Sequence, residues 1–273
     1  MRIASIRTDG GEFAAVDTGA GFALLGTSVT VLDVIAQPDA LPASTHATDP
    51  LASNRTSFAP PYRRPGKIWC IGLNYTAHAR SLDEEVPKLP GSFLRPPNTI
   101  IGPGDAIVLP DGVGRVTVEA ELAVIIGSRC RDVDRVGAEA SIFGYTCVLD
   151  VTAEDILRQN PRYLTRAKSF DSFFSFGPVI VTRADVPDVS PLVVRTVVNG
   201  EVRAENSVAN MTFDPIELVR YHSRATTLEP GDIISTGTPG AWPIEPGDVA
   251  RCEIDGFPPL ENPVAAERPN RKG

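Results

Sequence analysis

Clustered positive charge is missing from this chain. Its 26 lysines and arginines are outnumbered by 34 acidic residues, giving a net charge of -8, and no basic patch could follow a phosphate backbone. Nucleic acid is therefore not an expected partner. Long apolar runs are missing too. No segment approaches the length needed to span a bilayer, and the stretch MRIASIRTDGGEF lacks the apolar core of a secretory signal. The expectation is a soluble, cytoplasmic protein with no membrane partner. Cysteine is sparse: Cys70, Cys130, Cys147 and Cys252 show neither CxxC spacing nor a disulfide framework, and read as reduced structural thiols. With only three histidines, His46, His78 and His222, a histidine-rich site is excluded as well.

What is present is room for a substantial core in 273 residues and a pattern dominated by strands. IASIR and FALL read as short strands, and TVLDVIAQP as a helix capped by Thr30, with Asp33 at its third position and Pro38 as its stop. The stretch from Pro38 to Pro65, rich in Ala, Ser, Thr and Pro, reads as a connector. Residues 1–65 are thus expected to form a small N-terminal α+β domain and linker, with residues 66–273 forming a larger, mainly β domain. PGD occurs at Pro103, Pro230 and Pro246, each time before a strand-like run, which points to a tight turn feeding a strand. Asn199-Gly200 predicts a hairpin through a type I′ turn. DPIELVRYHSRA predicts a helix, with Asp214 as cap, Pro215 in the first turn and Glu217 completing a capping box.

Chemistry enters with TVEAELAVIIG. On a strand, Glu119 and Glu121 share one face with Ala123 and Ile125, while Leu122, Val124 and Ile126 face the other way. Buried carboxylates there would need a cation or a proton. FGYTCVLD ends in Asp150, just before VTAEDILRQN, read as a short helix with Thr152 near its start. Three carboxylates at strand ends suit a hard divalent cation such as Mg²⁺ or Mn²⁺, and zinc is disfavoured for want of a nearby His or Cys. The alternative is a solvated strand face. His78, in IGLNYTAHARSL after an apolar strand, could act as a general base or be a surface histidine. Lys168, among aromatics in RAKSFDSFFSFGPVIV, could hold an anionic substrate, stabilise an enolate or merely snorkel. STGTPG, residues 235–240, offers backbone N–H groups and hydroxyls that could bind an oxyanion, or is just a turn. His222 and His46 read as structural.

Taken in order, IGLNYTAH, FLRPPNTIIGPGD, VEAELAVIIG, GYTCVLDVTAED, RAKSFDSF, VNGEV, LEPGDIISTGTPG and PGDVARCEIDG resemble the fumarylacetoacetate hydrolase family, from about Lys67 to about Pro263. The resemblance implies a rolled, mixed β-sandwich, a homodimer, and Glu119, Glu121 and Asp150 as ligands of Mg²⁺ or Mn²⁺. It further implies His78 as the catalytic histidine, Lys168 as the substrate-facing lysine and Thr238 as the threonine of the TGTP segment. The implied chemistry is carbon-carbon cleavage in a small 2-oxo acid or 1,3-dicarbonyl, acylpyruvate-like, through an enolate that the cation stabilises.

Departures from the family pattern qualify that reading. Hydrolytic members carry HxxE, whereas HARS places Ser81 where a glutamate would orient the histidine; Glu84 and Glu85 lie a few residues on and could stand in. LDVTAEDIL has Leu149, Glu154 and Leu157 where the family commonly has Asn, Arg and Gln, so the substrate is expected either to lack the usual second carboxylate there or to offer a donor to Glu154, which disfavours dicarboxylates such as oxaloacetate or fumarylpyruvate. Three readings stand: carbon-carbon hydrolysis; decarboxylation, isomerisation, tautomerisation or a lyase step at the same site; and a catalytically silent homologue that binds metal or ligand.

Overall fold

The computed structural model describes residues 1–38, 51 and 56–267. His46 and much of the expected connector lie outside these residues. In chain order the elements are β1 (Arg2–Thr8), β2 (Gly11–Asp17), β3 (Phe22–Leu24), α1 (Val31–Ala36), β4 (Ser57–Ala59), β5 (Ile68–Gly72), α2 (Thr76–Ser81) and β6 (Gly91–Leu94). Next come β7 (Ile100–Ile101), β8 (Ile107–Leu109), β9 (Val116–Ile126), α3 (Arg135–Ala140), β10 (Ile142–Ala153), α4 (Glu154–Gln159), α5 (Leu164–Lys168) and β11 (Phe174–Thr182). The last are β12 (Val193–Val198), β13 (Glu201–Ser207), α6 (Pro215–Ala225), β14 (Ile233–Ser235), β15 (Ala241–Pro243), β16 (Val249–Ile254) and β17 (Leu260–Ala266).

Two mixed sheets result. The larger runs β3-β2-β1-β11-β10-β9-β14-β5-β6, with β4 beside β1, β7 beside β11 and β15 beside β9; the smaller runs β13-β12-β16-β17-β8. The N-terminal strands join the large sheet, because β1 pairs along β11 from Arg2 opposite Val181 to Ala4 opposite Val179. Alternation along β9 and β10 supplies both faces. Leu122, Val124, Cys147 and Leu149 point into one core together with Val194, Ala250, Cys252 and Leu260 from the small sheet. Ala123, Ile125 and Val148 point into a second core with Ile3, Val34, Ile35, Phe174 and Phe176. Burying both faces explains why β9 is apolar almost throughout, and each buried Leu or Ile contributes roughly 1.5–3 kcal/mol.

Local chemistry follows the sequence closely. Thr30 and Asp33 form the capping box of α1, and all four cysteines are free and buried. In each PGD turn the glycine has positive φ, 77° at Gly104, 84° at Gly231 and 100° at Gly247. In each the aspartate accepts from the backbone N–H three residues earlier: Asp105 from Gly102 at 2.9 Å, Asp232 from Glu229 at 2.8 Å and Asp248 from Glu245 at 2.7 Å. The three copies are thus one device, a carboxylate-closed turn that launches a strand. Asn199 and Gly200 both take positive φ between β12 and β13, as a type I′ turn requires.

Two details differ from expectation. Asp214 caps α6, but the Glu217 carboxylate bonds Arg220 at 2.7 Å instead of closing a capping box. Thr152 belongs to β10, which continues to Ala153 because β9 pairs with it as far as Val116.

Candidate metal centre

The register between β9 and β10 sets Asp150 directly opposite Glu119, and Val148 opposite Glu121. Side-chain alternation then puts Glu119, Glu121, Asp150 and Thr152 on one face of the large sheet. Carboxylate oxygens of Glu119, Glu121 and Asp150 lie within 4.8 Å of one another. Glu121 and Asp150 are each only 1% exposed. The solvated-face alternative is thereby removed for these two.

Beside β9 the sheet is split. β14 pairs with it up to Ser235 opposite Ala123, and β15 resumes at Ala241 opposite Glu119. Between them residues 236–240 loop out beside Glu121, whose Oε2 accepts from Ser235 Oγ at 2.5 Å and from the Gly237 N–H at 2.9 Å. Gly237 can sit there only as glycine: its φ is +95°, and a Cβ would fall 2.8 Å from Asn74 Cβ. Asn74 in turn ties the loop to the start of α2, donating to the carbonyls of Thr236 at 2.8 Å and Phe213 at 2.9 Å and accepting from Phe213 N at 2.9 Å.

Each carboxylate is restrained by protein donors. Glu119 accepts from Thr152 Oγ1 at 2.9 Å on one oxygen and from Lys168 Nζ at 3.2 Å on the other. Asp150 Oδ1 accepts from Lys168 Nζ at 2.8 Å and from Arg95 Nη2. Asp150 Oδ2 is buried and has no partner. An orphaned buried carboxylate oxygen beside two more acids is what a hard cation would satisfy. The donor set therefore fits Mg²⁺ or Mn²⁺, with Glu119, Glu121 and Asp150 as the residues that would hold it.

Electrostatics agree. Burial, reinforced by Asp150 and Glu119, pushes the Glu121 carboxyl up to about 8. Burial also pushes Asp150 up, but Arg95 and Lys168 outweigh it and hold Asp150 below the usual carboxylate range. Lys168 is raised: burial opposes its charge, and Asp150 and Glu119 prevail. His78, half-buried on α2, is lowered by burial; Glu119 pulls the other way and Lys168 adds to the lowering. Burial thus favours its neutral form, and it lies within electrostatic reach of the carboxylate cluster.

The remaining site residues are placed as follows. Thr238, buried in the 236–240 loop, donates from Oγ1 to the Gly240 carbonyl at 3.0 Å. Ser81 donates to the His78 carbonyl at 2.8 Å and not to its imidazole. Glu84 and Glu85 are exposed, and neither is bonded to His78. Glu154 is paired with Arg115 at 2.5 Å and with Arg158 at 2.9 Å, apart from the carboxylate cluster's hydrogen bonds. His222 is structural: its Nδ1 meets the Leu218 carbonyl at 2.8 Å and its ring packs on Trp69. Arg95 and Asn74 carry no signal of their own in the sequence, because they matter through partners distant in the chain. Ser235 and Gly237 belong to the STGTPG segment, but their contact is with Glu121 and not with a substrate oxyanion.

A two-layer mixed β-sandwich with a buried tri-carboxylate centre on its larger sheet is the class that fold and site define. The chain belongs to the fumarylacetoacetate hydrolase family, matching the fumarylacetoacetate (FAA) hydrolase C-terminal domain over residues 67–265. A mitochondrial oxaloacetate tautomerase of Xenopus laevis is 36% identical over 223 residues, 78% of this chain and 70% of that protein. The crystal structure of maleylpyruvate hydrolase from Sphingobium sp. SYK-6 with manganese(II) and pyruvate is 30% identical, with TM-score 0.83 over 98% of this chain and 100% of that one. A 5-carboxymethyl-2-hydroxymuconate delta-isomerase from Mycobacterium smegmatis is 33% identical, with TM-score 0.81 over 98% and 100%. Hydrolase, isomerase and tautomerase are thus all represented among its relatives.

Proposed function

We propose that this protein is a divalent-cation-dependent enzyme acting on an enolisable 2-oxo acid, and that it moves a proton between carbon and oxygen, as a tautomerase or isomerase does. The observation that carries this reading is the setting of His78: burial favours its neutral form, Ser81 bonds its backbone carbonyl, and among the described residues no carboxylate is hydrogen-bonded to its ring. A histidine that activates water must stabilise the imidazolium it becomes, which a paired carboxylate does and a serine bonded to backbone does not. Proton transfer at a carbon already acidified by a neighbouring carbonyl asks less of the base.

Glu119, Glu121 and Asp150 would hold Mg²⁺ or Mn²⁺, which when bound supplies Lewis-acid stabilisation of the negative charge developing on the substrate's oxo group. Lys168, fixed between Glu119 and Asp150, adds a second positive charge in a desolvated setting. An imidazole nitrogen of His78 takes the substrate proton and returns it. The Thr238 hydroxyl, on releasing the Gly240 carbonyl, and the backbone of residues 236–240 would offer polar groups to the substrate. Arg115 and Arg158 offset the charge of Glu154, so dicarboxylates such as oxaloacetate remain reasonable substrates.

Carbon-carbon hydrolysis is the second reading, favoured by the full-length likeness to the maleylpyruvate hydrolase. It requires Glu84 or Glu85 to swing toward His78. One assay series separates the two. The protein is incubated with Mg²⁺ or Mn²⁺ and oxaloacetate, maleylpyruvate or acylpyruvates, following enol absorbance and products. Accelerated loss of the enol signal without new acids is expected; two acids from one substrate mean hydrolysis. No cation-dependent change with any substrate would remove both.

A further inference from the structure

Arg95 is fully buried as a side chain, an expensive place for a guanidinium. Its fork donates in two directions. Nη2 reaches Asp150 Oδ1, and Nη1 reaches the carbonyls of Lys168 and, at 3.1 Å, Phe173. The plane lies near two aromatic rings, with Cζ 5.9 Å from the Phe93 centroid and 5.5 Å from that of Phe174. The Phe93 ring also sits 5.5 Å from Lys168 Nζ. One planar group thus ties together Asp150 on β10, the end of α5 where Lys168 sits, and the turn leading into β11.

We infer that Arg95 is a positioning residue of the carboxylate centre: it occupies Asp150 Oδ1 and anchors the backbone of Lys168, so that Oδ2 alone is left for a cation and the lysine is held over the same carboxylate. The inference rests on the proposed cation site. An ordinary core ion pair would satisfy both carboxylate oxygens; here one is saturated by two cationic donors and the other, equally buried, has none. A lysine at position 95 would bring the same charge but only a compact ammonium, unable to span Asp150 and two carbonyls in the fixed plane of a fork.

The test uses Mn²⁺ alone, titrated into the metal-free full chain and followed by the electron paramagnetic resonance signal of the free ion. Arg95→Lys keeps the charge, so a change in affinity reads geometry. Binding about 10–100-fold weaker than the parent's is expected, as for loss of an outer partner of a metal ligand, in a variant whose cooperative thermal melt shows it folded. Arg95→Gln is the second variant. It adds net negative charge, which by Coulomb's law alone would tighten Mn²⁺ binding, so weaker binding in it reads lost positioning. Parent-like affinity in folded Arg95→Lys, or tighter binding in Arg95→Gln, overturns the inference. So does failure of both variants to fold, since Arg95 would then be serving the core. If the parent fails to bind Mn²⁺, or Glu121→Gln binds as well as the parent, the cation site itself falls and takes this inference with it.

Discussion

Glu121 is the residue with most at stake. Its carboxyl titrates near 8 when folded against an ordinary value of 4.5, because burial and two neighbouring acids oppose its charge. The folded metal-free protein therefore binds a proton that the unfolded chain has released between these values, and stability must fall as pH rises through that window and level off above about 8. Thermal melts of the metal-free protein should show a decline on the order of 5 kcal/mol across the window, and Glu121→Gln should flatten it. An unchanged slope in the variant would mean the charge is not confined as described. His78 is the complementary case. His78→Asn should leave Mn²⁺ affinity alone while lowering turnover about 10²–10⁴-fold, the usual worth of a positioned acid-base group; steady-state rates beside a Mn²⁺ titration separate the two effects.

At the scale of elements, the centre exists because of how strands end and resume. β9 and β10 provide three acids from one ribbon, and the gap between β14 and β15 lets residues 236–240 turn their backbone toward Glu121. Gly237→Ala should strain a positive φ and press on Asn74, costing about 1–3 kcal/mol and loosening the grip on Glu121. A lowered melting point with weakened Mn²⁺ binding is expected; parent-like values in both would show that the loop has slack. Much of this level was legible beforehand, because period-two alternation fixes which side chains share a face, and PGD, Asn-Gly and Asp-Pro turns carry their own chemistry. Alternation alone puts Glu119 and Glu121 on one face, whereas Asp150 and Lys168 join them through the family resemblance, Lys168 lying on the helix α5. Arg95 and Asn74 could not be read in advance, nor could the bond from Ser235 to Glu121, since each depends on an atom brought near by long-range pairing. Capping preference is local and points to a helix start near Thr152, whereas pairing with β9 extends the strand past it. The sequence also could not reveal that Glu154 faces Arg115, 39 positions earlier, and Arg158.

For the whole molecule, the two sheets act as one frame, and the N-terminal strands are part of it through β1. A cation that binds only the folded state should raise its stability by RT ln(1 + [L]/Kd), about 2.7 kcal/mol at a hundredfold excess over Kd. Because Glu121 must shed its proton first, the gain in melting temperature on adding Mn²⁺ should be larger at pH 8 than at pH 6, and EDTA should reverse it. Equal gains at both pH values would count against Glu121 as a ligand. The facing of Asp150 and Glu119 has one more implication. A slip of β10 by a single residue would turn Asp150 into the layer between the sheets and leave the two glutamates without their third companion. Occupancy of the site thus certifies that the longest two strands have found their correct alignment, which would make the ion a proofreader of assembly as well as a reagent.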